Sequence, residues 1–129
     1  MVFERVVFQF VDAINSGDVE GLCLLMTEDH VFVDSDGSKT AGREVMRKAW
    51  SQFFSMVPGY RIEIEETLCV KNIVVLVGVA SGGNRIVEDG LARHSWAVPA
   101  AWRAVVEDQR VAVWQVYVNP EPIRAAVRT

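Results

Sequence analysis

The residues most able to do chemistry lie in one short stretch, His30-Val31-Phe32-Val33-Asp34, which holds one of the two histidines of the chain. Read as a strand, it places His30, Phe32 and Asp34 on one side and Val31 and Val33 on the other, because strand side chains alternate. A carboxylate beside an aromatic ring has two readings. It lines an apolar pocket, where its chemistry is proton transfer, or it ends the strand at solvent, where Asp34 and Asp36 only build the turn Ser35-Asp36-Gly37-Ser38. The second histidine, His94, shares a strand face with Trp96 and Val98, although an exposed His after Arg93 is also ordinary. Two histidines among scattered carboxylates form no ligand pattern, so no metal is expected. Cys23 and Cys69 have neither metal-ligand spacing nor the density of a disulfide scaffold, and they read as buried free thiols.

The elements that must position these groups follow from periodicity. Phe3, Val6, Val7, Phe10, Ala13 and Ile14 recur at helical spacing up to Asn15-Ser16-Gly17, with Gly17 suited to the left-handed position after a helix end. Asp18 is an N-cap for a second, short helix with Val19, Leu22, Cys23 and Met26 on its buried side, ending over Thr27-Glu28-Asp29. After the His30–Asp34 strand, Thr40 can cap a third helix whose apolar stripe is Met46, Ala49, Trp50, Phe53 and Val57, stopped by Pro58-Gly59.

From Tyr60 the pattern changes to period two. Tyr60, Ile62 and Ile64 alternate with Arg61, Glu63 and Glu65, and a bulge is expected to turn Glu66 outward. Ile73–Ala80 reads as a fully buried strand and residues 82–90 as a polar connection. In the strand from Leu91 to Val106, Pro99 requires an edge or a bulge. If register survives it, Ala100, Trp102 and Ala104 continue the face of Trp96. The last strand runs from Val111 to Asn119, and if Trp114 points inward, Tyr117 points outward. A short segment, Ile123–Val127, follows.

The composition bounds the partners. With 129 residues, half of them hydrophobic and 23% charged, the chain reads as one globular domain over residues 1–129. A net charge of −4 and the lack of any basic run argue against nucleic acid. The N-terminal stretch carries Glu4, Arg5 and Asp12 inside its apolar pattern, unlike a secretory signal, and no apolar run spans a bilayer. No membrane partner is expected, and the expected location is cytoplasmic. Three N-terminal helices followed by long strands make an α+β fold, with a highly curved, mostly antiparallel sheet forming a cone-shaped barrel around a central pocket. So few helices cannot cover both faces of the sheet, so a homodimer through its outer face is expected.

The phrases FVDAINSGDVEGL, TEDHVFVDSDGSKTAG and PAAWRAVVEDQRVAVWQVYVN, in this order of elements, resemble the nuclear transport factor 2-like superfamily (cystatin-like α+β cones). The sequence is most similar to the SnoaL-like polyketide cyclases and the ketosteroid isomerases. The resemblance spans nearly the whole chain, but its motifs are far more specific for fold than for activity. It implies that Asp34 falls where ketosteroid isomerases keep their general-base Asp. Those enzymes also use an oxyanion hole of a Tyr and a protonated Asp. Here the Tyr position is Phe10 and the Asp position is Ala100 or Ala101, so ketosteroid isomerase activity itself is not expected; one missing donor costs about 2.7–4 kcal/mol. A His–Asp pair across the pocket, Asp34 with His94, is equipment for cyclase, isomerase or dehydratase chemistry without a cofactor. The expected walls are Phe10, His30, Phe32, Trp50, Phe54, Tyr60, Trp96, Trp102 and Trp114, and the expected ligand is a hydrophobic ring compound. A binding or interaction module of the same fold, without catalysis, is the competing expectation.

Overall fold

The computed structural model describes residues 2–83, 86–88, 91–93 and 96–128, with only the backbone described in 86–88, 91–93 and 128. Helix α1 (Val2–Asn15) carries Val6, Val7, Phe10, Val11 and Ile14 on its buried face. Gly17, at φ 65°, ends it as the pattern predicts, since only a residue without Cβ adopts that conformation cheaply. Asp18 then caps α2 (Val19–Leu24), its Oδ1 accepting the Gly21 N–H at 2.9 Å.

Strand β1 runs from Met26 to Val33, so Thr27–Asp29 belong to the strand and not to a helix end. A three-residue strand, β2 (Lys39–Ala41), pairs with β1, and α3 (Arg43–Met56) follows it with Gly42 as the residue before its first turn. Gly42 provides no side-chain cap, and Thr40 lies in β2 instead of capping the helix.

The remaining strands are β3 (Arg61–Val70), β4 (Ile73–Gly82), β5 (Ile86–Glu88), β6 (Leu91–Arg93), β7 (Trp96–Glu107) and β8 (Arg110–Val118). Six of the strands form a curved, unclosed sheet in the order β2-β1-β8-β7-β4-β3, and β5 pairs with β6 apart from it. Only β1 and β8 run parallel; the other pairings are antiparallel. The polar connection expected over 82–90 therefore contains a strand, and the long strand expected from Leu91 is two strands. Helix α4 (Glu121–Arg128) adds a fourth helix after the sheet.

Two sheet details decide which residues face the interior. The β3–β4 register shifts between Ile64 and Glu66, and this bulge places Glu66 opposite the outward Val77. Leu68 and Val70 follow it to the outer face, where they are exposed. Pro99 pairs with Val79 on one side, whereas the β7–β8 ladder begins only at Ala100. The strand is thus locally an edge at Pro99, and its register survives: Trp96, Val98, Ala100, Trp102 and Ala104 are all buried. Trp114 is likewise buried and Tyr117 is outward. The sheet bends around α1 and α3, and the core lies between them.

Candidate functional site

A cavity of about 580 Å3 opens between the inner face of the sheet and α3. Parallel pairing sets Phe32 beside Trp114, and Trp114 lies opposite the small Ala104, which leaves space for the indole. Helix α3 supplies Met46, Ala49, Trp50, Phe53 and Met56, a stripe at helical spacing that its C-cap residue Val57 extends. Tyr60, Trp102, Val116 and Val118 continue the wall, and α4 adds Ile123 and Val127 after Pro120. Aromatic rings brace one another along it: Trp50 meets Phe53 at 5.6 Å, and Phe53 meets Tyr60 at 4.9 Å, both edge to face.

The side chains of Asp34, Ser35, Thr40 and Arg124 also line the cavity. Asp34 and Arg124 are exposed, so the charged groups stand at its mouth. Asp34 has two kinds of neighbour. It borders the cavity, and it builds the turn: its Oδ1 accepts the Ser35 N–H at 2.7 Å, and its backbone N–H donates to Ser38 O at 2.9 Å. Asp36, outside the cavity, accepts from the Ser38 N–H at 2.9 Å. Its carboxyl is held below the usual range by the Ser38 hydrogen bonds, with Arg124 adding to the effect.

The interior polar atoms are few. Burial raises the pKa of the Tyr60 phenol above its ordinary value, and the neighbouring Trp102 side chain opposes that shift. The Nε1 of Trp50 is buried without a partner among the described residues.

Of the other expected site residues, Phe10, His30, Phe54 and Trp96 do not line the cavity but stand one layer behind it. Phe10 lies 4.9 Å from Trp114 and 6.0 Å from His30, ring to ring. Phe54 packs on Trp50 and Trp96 on Tyr60. His30 is fully buried, and its Nδ1–H donates to Val111 O at 2.6 Å where the β1–β8 register breaks between Met26 and Val31. A carbonyl can only accept, so Nδ1 carries the proton. The ring fills a gap in the ladder, and burial lowers its pKa below the ordinary value. His94 lies outside the described residues. At the end of the last strand, Asn119 Oδ1 accepts the Glu121 N–H at 3.1 Å at the start of α4.

The largest contribution missed by sequence reasoning is α4. Its signal was present in Pro120 followed by Ile123 and Val127 at i,i+4 spacing, but eight residues give a weak pattern. Among the described residues, no group of three or more His, Cys, Asp or Glu side chains could hold a metal ion. No helix among them is long and apolar enough to cross a membrane.

A curved sheet wrapped on a long helix around an apolar cavity defines the nuclear transport factor 2-like class of α+β cones. Residues 7–114 match the SnoaL-like domain, and the chain belongs to that family. Solved structures agree on the fold. A putative SnoaL-like polyketide cyclase from Shewanella putrefaciens superposes with a TM-score of 0.79 at 16% identity, covering 98% of this chain and 85% of that one. A Catenulispora acidiphila protein with a ketosteroid isomerase-like fold, in complex with trimethylamine, gives 0.76 at 19% identity, covering 95% and 92%. An LEH-like epoxide hydrolase of M. tuberculosis gives 0.76 at 16%, covering 98% and 90%. At such identities the likeness concerns fold alone. Comparison with curated proteins gave no match.

Proposed function

We propose that this protein binds a hydrophobic ring compound inside its cone. The observation that carries this reading is the cavity itself: about 580 Å3, walled by Phe32, Trp50, Phe53, Tyr60, Trp102 and Trp114, with its charged groups at the mouth. Ligand sites typically measure roughly 300–1,000 Å3 and are lined by apolar and aromatic groups with a few placed polar atoms. A thermal-shift panel of steroids, terpenoids, aromatic polyketides and small aromatic acids tests it. A ligand at a hundred times its dissociation constant adds about 2.7 kcal/mol of stability, and no shift with any class would overturn the reading.

Asp34 favours a second, catalytic reading, because it lines the cavity where a bound ring meets solvent. There it would act as the base that removes a proton from a carbon next to a carbonyl, chemistry that requires no cofactor. His94 is the acid partner in this proposal. Asp34→Asn keeps the Oδ1 that the Ser35 N–H binds, so folding is expected to survive. Turnover of a substrate found by the panel should fall by about 10²–10⁴, the usual contribution of a positioned base. Unchanged turnover would leave binding alone.

The same proposal places the protein as a homodimer joined through the outer face of the sheet. Cross-strand rows there run Leu68–Val75 and Val70–Ile73–Val105–Val113, with Val77 beside them. A cytoplasmic location is supported by two cysteines that are both free.

A further inference from the structure

We infer that the ring compound carries a protonated amine, and that Asp34 selects it as the counter-charge at the cavity mouth. The inference rests on the binding function proposed above and gives Asp34 the part of an ion partner in place of a base. The side of the cavity built by β1 and β2 would receive the ammonium. Phe32 and Thr40 are cross-strand partners, so their side chains share a face, and Asp34 follows Phe32 by two residues on that face. All three line the cavity together with Ser35. The Asp34 Oδ1 accepts the Ser35 N–H at 2.7 Å, which holds the carboxylate at the rim, while its Oδ2 has no partner among the described residues. An ammonium has protons and no lone pair to offer. This rim is made of groups that accept, a carboxylate and the hydroxyls of Ser35 and Thr40.

The surrounding charges favour a cation over an anion. Among the described residues, Asp34 and Arg124 are the charged side chains that line the cavity. Arg124 is opposed from the turn by Asp36, whose carboxyl it helps to hold below the usual range. An anion drawn to Arg124 would therefore stand against two carboxylates, whereas an ammonium at Asp34 meets one cation that Asp36 already offsets. The walls behind the rim add to the preference. Phe32 meets Trp50 edge to face at 6.4 Å, and Trp102 and Trp114, each 1% exposed, stand deeper. Such π systems attract cations, indole most of all. The net charge of −4 on the full chain works in the same direction. The hydrophobic ring then fills the cone while its amine stays at the mouth, where water still reaches it and little desolvation is needed.

The test compares three probes on one ring system: 2-naphthylmethylamine, a cation at pH 7, neutral 2-naphthylmethanol and anionic 2-naphthylacetate. Each is titrated calorimetrically into the full chain and into Asp34→Asn. The expected order of affinity for wild type is amine, alcohol, acetate, with the amine about fivefold tighter than the alcohol, the upper size of an exposed ion pair. Asp34→Asn keeps the Oδ1 that the Ser35 N–H binds. It should bring the amine within about twofold of the alcohol and leave the alcohol's own affinity unchanged. Equal affinities in wild type, a preference for the acetate, or an amine preference that survives in Asp34→Asn overturns the assignment while the binding reading stands. If none of the three binds the wild-type chain, the binding reading fails and the inference with it. Salt provides a second measurement independent of the variant. The amine's advantage should shrink between about 0.02 and 0.5 M NaCl as the ion pair is screened, and an advantage unmoved by salt overturns the inference.

Discussion

His30 and Asp34 are four residues apart in sequence, yet the fold gives them opposite duties. His30 closes the β1–β8 ladder from the inside, and Asp34 turns the chain at the rim of the cavity. A neutral imidazole buried in this way sets a pH dependence. Burial lowers its pKa in the fold, with Asp29 opposing, while the unfolded chain keeps the ordinary value near 6.5. Below about 6.5 the unfolded state therefore binds more protons than the folded one, so stability is complete above that pH and is lost progressively as pH falls toward the folded pKa. His30→Asn retains an N–H near Nδ1 for Val111 but cannot titrate. Urea midpoints measured from pH 8 to pH 5 should fall more steeply in wild type than in this variant, and parallel profiles would refute the account. At this scale the sequence was only partly legible. Alternation put His30, Phe32 and Asp34 on one face, but how far each side chain sits from the cavity depends on Phe10 and Trp114, which are distant in the chain.

Elements were more legible where one residue type admits one local solution. Gly17 and Asp18 fixed the α1–α2 junction, the stripe on α3 named most of one cavity wall, and the bulge near Glu66 was foreseeable from a carboxylate that otherwise would be buried. The short pieces β2, β5 and β6 were not legible, because three residues carry no period. The bulge itself has a partner that sequence did not reveal. Opposite it, a Cβ on Gly78 would lie 1.8 Å from the Glu63 carbonyl oxygen, a distance no side chain tolerates. Gly78→Ala must push β3 away from β4 at the bend of the sheet. It is expected to cost about 1–3 kcal/mol or more, as overpacking does, and to lower the melting temperature by roughly 4 °C per kcal/mol. A variant that melts with wild type would show that the bend is softer than its geometry implies.

For the whole molecule, the question is what covers the outer sheet. Leu68 and Val70 are 53% and 67% exposed at the β3 edge, and Tyr117 is 52% exposed across the sheet. Val77 sits between them, opposite Glu66 on one side and Ala101 on the other. Val77→Lys should break a dimer without harming the monomer, since Glu66 is placed to pair with the new charge. Sedimentation is expected to show a dimer for wild type and a 14.4 kDa species for the variant, with unchanged circular dichroism. A wild-type monomer would refute the interface.

The wall formed by α4 separates two properties that most pockets tie together. The family match ends at residue 114, and α4 spans Glu121–Arg128. Ile123, Arg124 and Val127 line the cavity from a helix that follows the last strand. Changes at Arg124 and Val127, which lie outside the core cluster that Ile123 packs against, can retune what the cone accepts while the sheet stays intact. Variation in α4 is thus a route by which one scaffold acquires new ligands at little risk to its folding.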